Sequence, residues 1–162
     1  GTGPLPPAPV LDLLADVCER CRRQGHEVLI ENIAGHWADT GEHTAQLARA
    51  LGVGVAWDPA NAAASGEDPL QAGYPSVRDL LRHVHLKNWT PDRRNLVPLA
   101  EGLVDISAQL ALLRRDGYSG WYCMEPHQWQ DAPAVLRRDA PLLRQWLSDP
   151  CIPPPQPLRC RR

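Results

Sequence analysis

Residues 82–89 read RHVHLKNW. Two-residue alternation places His83, His85 and Lys87 on one side of a strand and Val84 and Leu86 on the other. If His85 points inward, His83 lies one layer deeper and Lys87 one layer nearer the strand end. The same design occurs in EVLIEN (27–32), VGVAWDPAN (53–61) and GWYCMEP (120–126). Each is an apolar run of strand length that closes on a residue able to ligate a metal, and the four closing residues are Glu31, Asp58, His85 and Glu125.

The segments between these runs read as helices. Residues 11–24, LDLLADVCERCRRQ, place Leu11, Leu14, Val17, Cys18 and Cys21 at helical spacing, and Gly25 is a C-terminal stop. Thr40 is positioned to cap GEHTAQLARALG (41–52). Residues 68–82 read as a helix interrupted by Gly73 and Pro75. Asp105 is positioned to cap ISAQLALLRRDG (106–117), and a last helix spans 134–147. A long loop with Pro91 and Pro98 follows the third strand. Strictly alternating helices and strands predict an α/β fold with a parallel sheet of βα units. Glu31 to Asp58 and Asp58 to His85 are both 27 residues; the next step, to Glu125, is 40, lengthened by the loop.

Composition narrows the class. With 162 residues, 43% of them apolar, the chain is long enough for one domain with a core. A net charge of −2 gives no electrostatic case for nucleic acid or an acidic membrane. No apolar run approaches the roughly 20 residues that span a bilayer, and the proline-rich start lacks the basic region of a secretory signal. A cytoplasmic setting is the expectation. The expected division is a proline-rich leader (1–10), a folded region (11–147) and a proline-rich disordered tail (148–162). Five cysteines, an odd number, argue against a disulfide framework, and Cys18-x-x-Cys21 has no second ligand pair at zinc-site spacing.

In parallel α/β folds, chemistry gathers at the carboxyl ends of the strands. Any one acid there can simply cap the following helix. Four ligand-type residues at four successive strand ends are a different matter, because buried acids need compensation and one shared cation supplies it. Three carboxylates and an imidazole make a hard, oxygen-rich set. It suits Mn²⁺ first, with Mg²⁺ or Co²⁺ as alternatives, over a thiolate zinc site.

The segments VLIEN (28–32), VAWDPAN (55–61), HVHLKN (83–88), AEGLVDI (100–106) and GYSGWYCMEPH (117–127) resemble, in order and spacing, the C-terminal half of the sugar phosphate isomerase/epimerase family, the xylose isomerase-like TIM barrels. The resemblance implies a partial (β/α)8 barrel whose four strands correspond to strands 5–8. It implies one divalent metal held by Glu31, Asp58, His85 and Glu125, with the two glutamates as the acid–base pair. It places Asn61 and Lys87 near a substrate, which would be a small polyhydroxy carbonyl compound. Arg93 in the long loop is a candidate for a substrate phosphate, Trp57 and Trp89 for lining a sugar face, and His127 for a place near the mouth. His36 and His43 read as surface residues.

The chain departs from the family pattern at Asn88, where an aspartate is usual, and at Ala100, where a glycine is usual. A full barrel has eight strands in about 250 residues, and four βα units have no counterpart here. Two sheet edges are then open, which predicts either further units ahead of Gly1 or a homodimer. The function expected is a metal-dependent isomerase or epimerase. Its rivals are a non-catalytic half-barrel and a related lyase or endonuclease-IV-like metal enzyme.

Overall fold

The computed structural model describes residues 1–126 and 131–148. The elements are α1 (Ala8–Arg23), β1 (Leu29–Glu31), α2 (Gly41–Leu51), β2 (Gly54–Trp57), α3 (Pro59–Ala64), α4 (Tyr74–Val77), β3 (Leu81–Leu86), α5 (Ile106–Arg115), β4 (Trp121–Met124) and α6 (Ala132–Ser148). A π-helical turn, Pro69–Gly73, leads into α4, and a 3-10 turn, Arg78–Leu80, leads out of it. The helical stretch expected over 68–82 is therefore three short turns of different pitch, with Gly73 and Pro75 at the break.

The strands form one parallel sheet in the order β1-β2-β3-β4. Sequence order equals spatial order, which is how βα units coil into a barrel. β1 and β4 are the open edges, as expected for a partial barrel. Register partners run Glu31–Ala56–His83–Trp121 across the sheet. Alternation then sets two faces. Val55, Trp57, Val84 and Leu86 face the helices and are buried with Ala45 and Ala48 of α2, Ile106, Leu110 and Leu113 of α5, and Leu143 of α6. Glu31, Asp58, His85 and Glu125 belong to the other, concave face.

Local chemistry fixes the ends. Thr40 Oγ1 accepts from His43 N at 3.2 Å and opens α2, and Gly52, at φ 64°, closes it. Asp105 Oδ1 accepts from Ala108 N at 2.9 Å and opens α5. The first helix starts at Ala8, three residues before the sequence pattern places it, because Pro9 sits in the first turn, where its missing N–H costs nothing. The leader is tied down as well: Gly3 O accepts from Ala38 N at 3.2 Å. Cys18 is buried against Leu47 and Leu51 of α2, so it serves packing between α1 and α2.

Among the described residues, no helix is long and apolar enough to cross a membrane. The proline-rich tail beyond Ser148 and His127 lie outside the described residues.

Candidate metal centre

The four strand-end residues meet. Ligand atoms of Glu31, Asp58, His85 and Glu125 all lie within 4.8 Å of one another. His85 Nδ1 is 3.1 Å from Glu31 Oε1 and 2.9 Å from Glu125 Oε1. His85 is half-buried, and its Nδ1 is buried between these two carboxylates. Those two carboxylates, Glu125 first, push His85 up to about 10 against the opposing effect of burial. His83 stands one layer deeper, its ring 5.1 Å from that of His85 and perpendicular to it. Burial, and then the neighbouring His85, lower His83.

Asp58 divides its two oxygens between structure and site. Oδ1 accepts from Ala60 N at 2.8 Å and Asn61 N at 2.9 Å, capping α3. Oδ2 points into the cluster, where Lys87 Nζ lies at 2.5 Å. Helix capping thus uses one oxygen of this side chain and leaves the other to the cluster. The Asp58 backbone is held too. Asn32, fully buried on β1's extension, donates from Nδ2 to Asp58 O at 2.7 Å and accepts at Oδ1 from Asp58 N at 2.8 Å.

Of the residues expected near the substrate, two join the cluster directly. Asn61 Nδ2 donates to Glu31 Oε1 at 3.2 Å and to Asn32 O at 2.9 Å, so α3 steers the glutamate of the neighbouring strand. Lys87 is buried, and its Nζ also lies 3.0 Å from Glu125 Oε2. Burial alone lowers Lys87, but Asp58 and then Glu125 outweigh it and leave the ammonium raised and charged. Arg93 makes its contact elsewhere. From an exposed loop position at φ 61° its Nη1 donates to Ala64 O at 2.9 Å, at the end of α3.

The tryptophan expectation needs correction. Trp57 is fully buried on the helix-facing side, its indole N–H directed at Gln109 Oε1 at 3.4 Å, so it cannot line a sugar face. Alternation places it opposite Asp58, which the sequence pattern already implied. Trp89 packs partly buried against the same core. His43 is more than a surface residue, since its Nδ1 pairs with Asp39 Oδ1 at 2.7 Å, whereas His36 is exposed. Sequence reasoning missed Asn32 altogether. Its signal was weak: a polar residue directly after a strand-end glutamate.

Asn88, the departure from the usual aspartate, has a structural reason. Its Nδ2 donates to Leu99 O (2.9 Å) and Val104 O (2.8 Å), while Oδ1 accepts from Trp89 N (3.1 Å) and Val104 N (3.0 Å). One buried amide closes the long loop onto β3. The loop comes so near that a Cβ on Gly102 would stand 2.1 Å from Asn88 Cγ.

The donor set fits a divalent cation. Burial pushes the Asp58 carboxyl up, opposed by the Lys87 ammonium and the Asn61 backbone amide, and a bound cation would favour its ionised form. Three carboxylates, the Lys87 ammonium and a protonated His85 leave one negative charge uncompensated. Exchange of the imidazole proton for a divalent ion brings the set to neutrality. Asp58 Oδ2 and His85 Nδ1 are buried inside the cluster, and with Glu31 and Glu125 they are the donors such an ion would meet.

The sequence matches the family described as xylose isomerase-like TIM barrel over residues 8–146. No curated protein matches the chain at the level of sequence. Among solved structures, the fold is similar to the probable 3-DHS dehydratase AsbF of Bacillus anthracis, with TM-score 0.69 and 21% identity over 83% of this chain and 55% of that one. It is similar to L-ribulose 3-epimerase, with TM-score 0.71 and 16% identity over 91% of this chain and 58% of that one. It also resembles a xylose isomerase-like TIM barrel protein of Mycobacterium smegmatis in complex with magnesium, with TM-score 0.65 and 18% identity over 88% and 52%. The chain spans just over half the length of each. Family match, four-stranded parallel half-barrel and strand-end ligand cluster agree: the chain belongs to the xylose isomerase-like TIM barrel family.

Proposed function

We propose that this chain carries the metal and acid–base machinery of a divalent-metal-dependent isomerase or epimerase acting on a small polyhydroxy carbonyl compound, a sugar or sugar phosphate. The observation that carries this reading is the convergence of Glu31 and Glu125 from the sheet's two edge strands onto one imidazole, with Asp58 completing the set.

Glu31, Asp58, His85 and Glu125 would hold one cation, Mn²⁺ by the hardness of the donors, with Mg²⁺ or Co²⁺ as alternatives. When bound, the ion supplies Lewis-acid polarisation of a carbonyl and a neighbouring hydroxyl. The chain's own residues do the rest. One of Glu31 and Glu125 removes the proton on the carbon beside the carbonyl, giving an enediolate, and the other returns one. Return to the opposite face is epimerisation; return to the neighbouring carbon is isomerisation. Asn61 fixes the Glu31 carboxylate. Lys87 spends two of its three donors on Asp58 and Glu125 and keeps the third for a substrate oxygen. Arg93 is the candidate for a phosphate on the loop side.

Exchange of solvent deuterium into the carbon beside the carbonyl reports proton transfer whichever product forms. With a ketose panel and Mn²⁺, the wild-type protein in its completed form, as a homodimer or with four further βα units, should catalyse exchange, and Glu125→Gln should abolish it while the circular dichroism spectrum is kept. Exchange that survives in Glu125→Gln contradicts the assignment.

A non-catalytic half-barrel is the second reading. It is favoured by Trp121, 77% exposed on the edge strand β4, which leaves the concave face open. Completion of that face, by four further βα units or a second copy, is part of the proposal for an active form.

A further inference from the structure

Glu125 addresses two neighbours with its two oxygens. Oε1 lies 2.9 Å from His85 Nδ1, and Oε2 lies 3.0 Å from Lys87 Nζ. His85 Nδ1 also meets Glu31 Oε1, and Lys87 Nζ also meets Asp58 Oδ2. The cluster therefore has two lobes that share one carboxylate. Glu31, His85 and Glu125 Oε1 form the first. Asp58 Oδ2 and Glu125 Oε2 form the second, with an ammonium between them, and Asp58, whose ligand atom lies within 4.8 Å of those of Glu31 and His85, borders the first lobe as well. A carboxylate shared between two cation positions is how paired metal ions, about 3.5–4 Å apart, are held in two-metal sites.

We propose that the Lys87 ammonium occupies the position of a second divalent cation, so that the site takes one ion where the same carboxylates without the lysine take two. The inference rests on the reading of these residues as a metal centre and goes beyond it, to the number of ions and the residue that sets it.

Three features of Lys87 support the assignment. It is the sole lysine of the chain, against sixteen arginines. An ammonium is a compact point charge, whereas a guanidinium is a broad fork, so lysine is the side chain that mimics an ion between two carboxylate oxygens. It is buried, and so is its partner Asp58, so the lobe is a closed site rather than a surface ion pair. The charge also balances. With His85 neutral, three carboxylates need three positive charges, which one divalent ion and Lys87 supply. Removal of Lys87 leaves one carboxylate's charge unmet, together with the two oxygens that faced the ammonium, and a second divalent ion carrying one hydroxide from solvent restores neutrality.

Mn²⁺ binding to the wild-type chain, Lys87→Ala and Lys87→Arg tests this, read by equilibrium dialysis with metal analysis and by electron paramagnetic resonance. Wild type and Lys87→Arg should each bind one Mn²⁺ per chain with the spectrum of an isolated ion. Lys87→Ala should bind two, with the broadened spectrum of a spin-coupled pair. One ion in both wild type and Lys87→Ala, with the same spectrum, overturns the proposal while leaving the metal centre intact. No Mn²⁺ in the wild type overturns both. Should Lys87→Ala be unfolded without metal, recovery of its circular dichroism at two equivalents of Mn²⁺ supports the proposal, and recovery at one equivalent or none contradicts it.

Discussion

Asn32 and Asp58 exchange a pair of hydrogen bonds, side chain to backbone in both directions, at 2.7 and 2.8 Å. Both residues are fully buried, so the pair stitches the end of β1 to the end of β2 just where Glu31 and Asp58 leave the sheet. Asn32→Ala strands a buried N–H and a buried carbonyl and should cost about 2–4 kcal/mol. It should also weaken Mn²⁺ binding, because Asp58 loses its backbone anchor. Urea denaturation with and without Mn²⁺ measures both effects. A variant of wild-type stability would show that the pair contributes nothing.

Asn88→Asp replaces an amide that donates to two carbonyls with a group that only accepts when ionised. Leu99 O and Val104 O then lose their donor, and a buried charge appears beside them. A loss of about 2–4 kcal/mol is expected at pH 8. The loss should shrink toward pH 4, because burial raises an introduced carboxyl and the protonated acid can again donate one hydrogen bond. Thermal melts at the two pH values decide it; a loss that grows on acidification would contradict the role given to the amide.

Metal uptake should release a proton. In the metal-free chain the two glutamates push His85 from its ordinary 6.5 up to about 10, so the ring is charged at neutral pH. A raised value in the folded state means that its stabilisation is complete below the ordinary value and is lost as the pH climbs through about 10. An ion bound at Nδ1 must displace that proton. Apparent Mn²⁺ affinity should therefore rise about tenfold per pH unit between pH 7 and 9, with close to one proton released per ion. Calorimetry in two buffers of different ionisation enthalpy counts that proton, and a buffer-independent heat would contradict the contact.

The concave face predicts association. Trp121 shares its side of β4 with Cys123 and lies on an open edge strand. Exposed edges and large apolar side chains draw other chains. Sedimentation velocity should show mass rising with concentration, and less so for Trp121→Lys. A monomer at all concentrations in both proteins would contradict it.

The parts of this architecture that could be read from sequence are those with a period. Four apolar runs that each close on an acid or histidine mark the strands, their parallel order and the four residues that meet at the strand ends, because alternation and strand-end position constrain each residue independently. Non-periodic features were less legible. Pro59 reads as a strand breaker, and the short α3 that it opens, capped by Asp58 Oδ1, has no pattern of its own. Pro9 hides the true start of α1 in the same way. For Lys87 the resemblance implies only a place near a substrate. Its contact with Asp58 joins residues 29 positions apart, which only the register of β2 against β3 brings together. Trp57 shows a reading that alternation could have improved: next to Asp58 on a strand, it had to face the helices.

The central claim is that Glu31, Asp58, His85 and Glu125 hold one divalent ion together. Anomalous diffraction at the manganese edge from crystals grown with Mn²⁺ tests it most directly. The account predicts a single anomalous peak within coordination distance of all four side chains, with His85 bound through Nδ1. A map with no peak among these residues, or with its peak at another group such as Cys18 and Cys21, would contradict it.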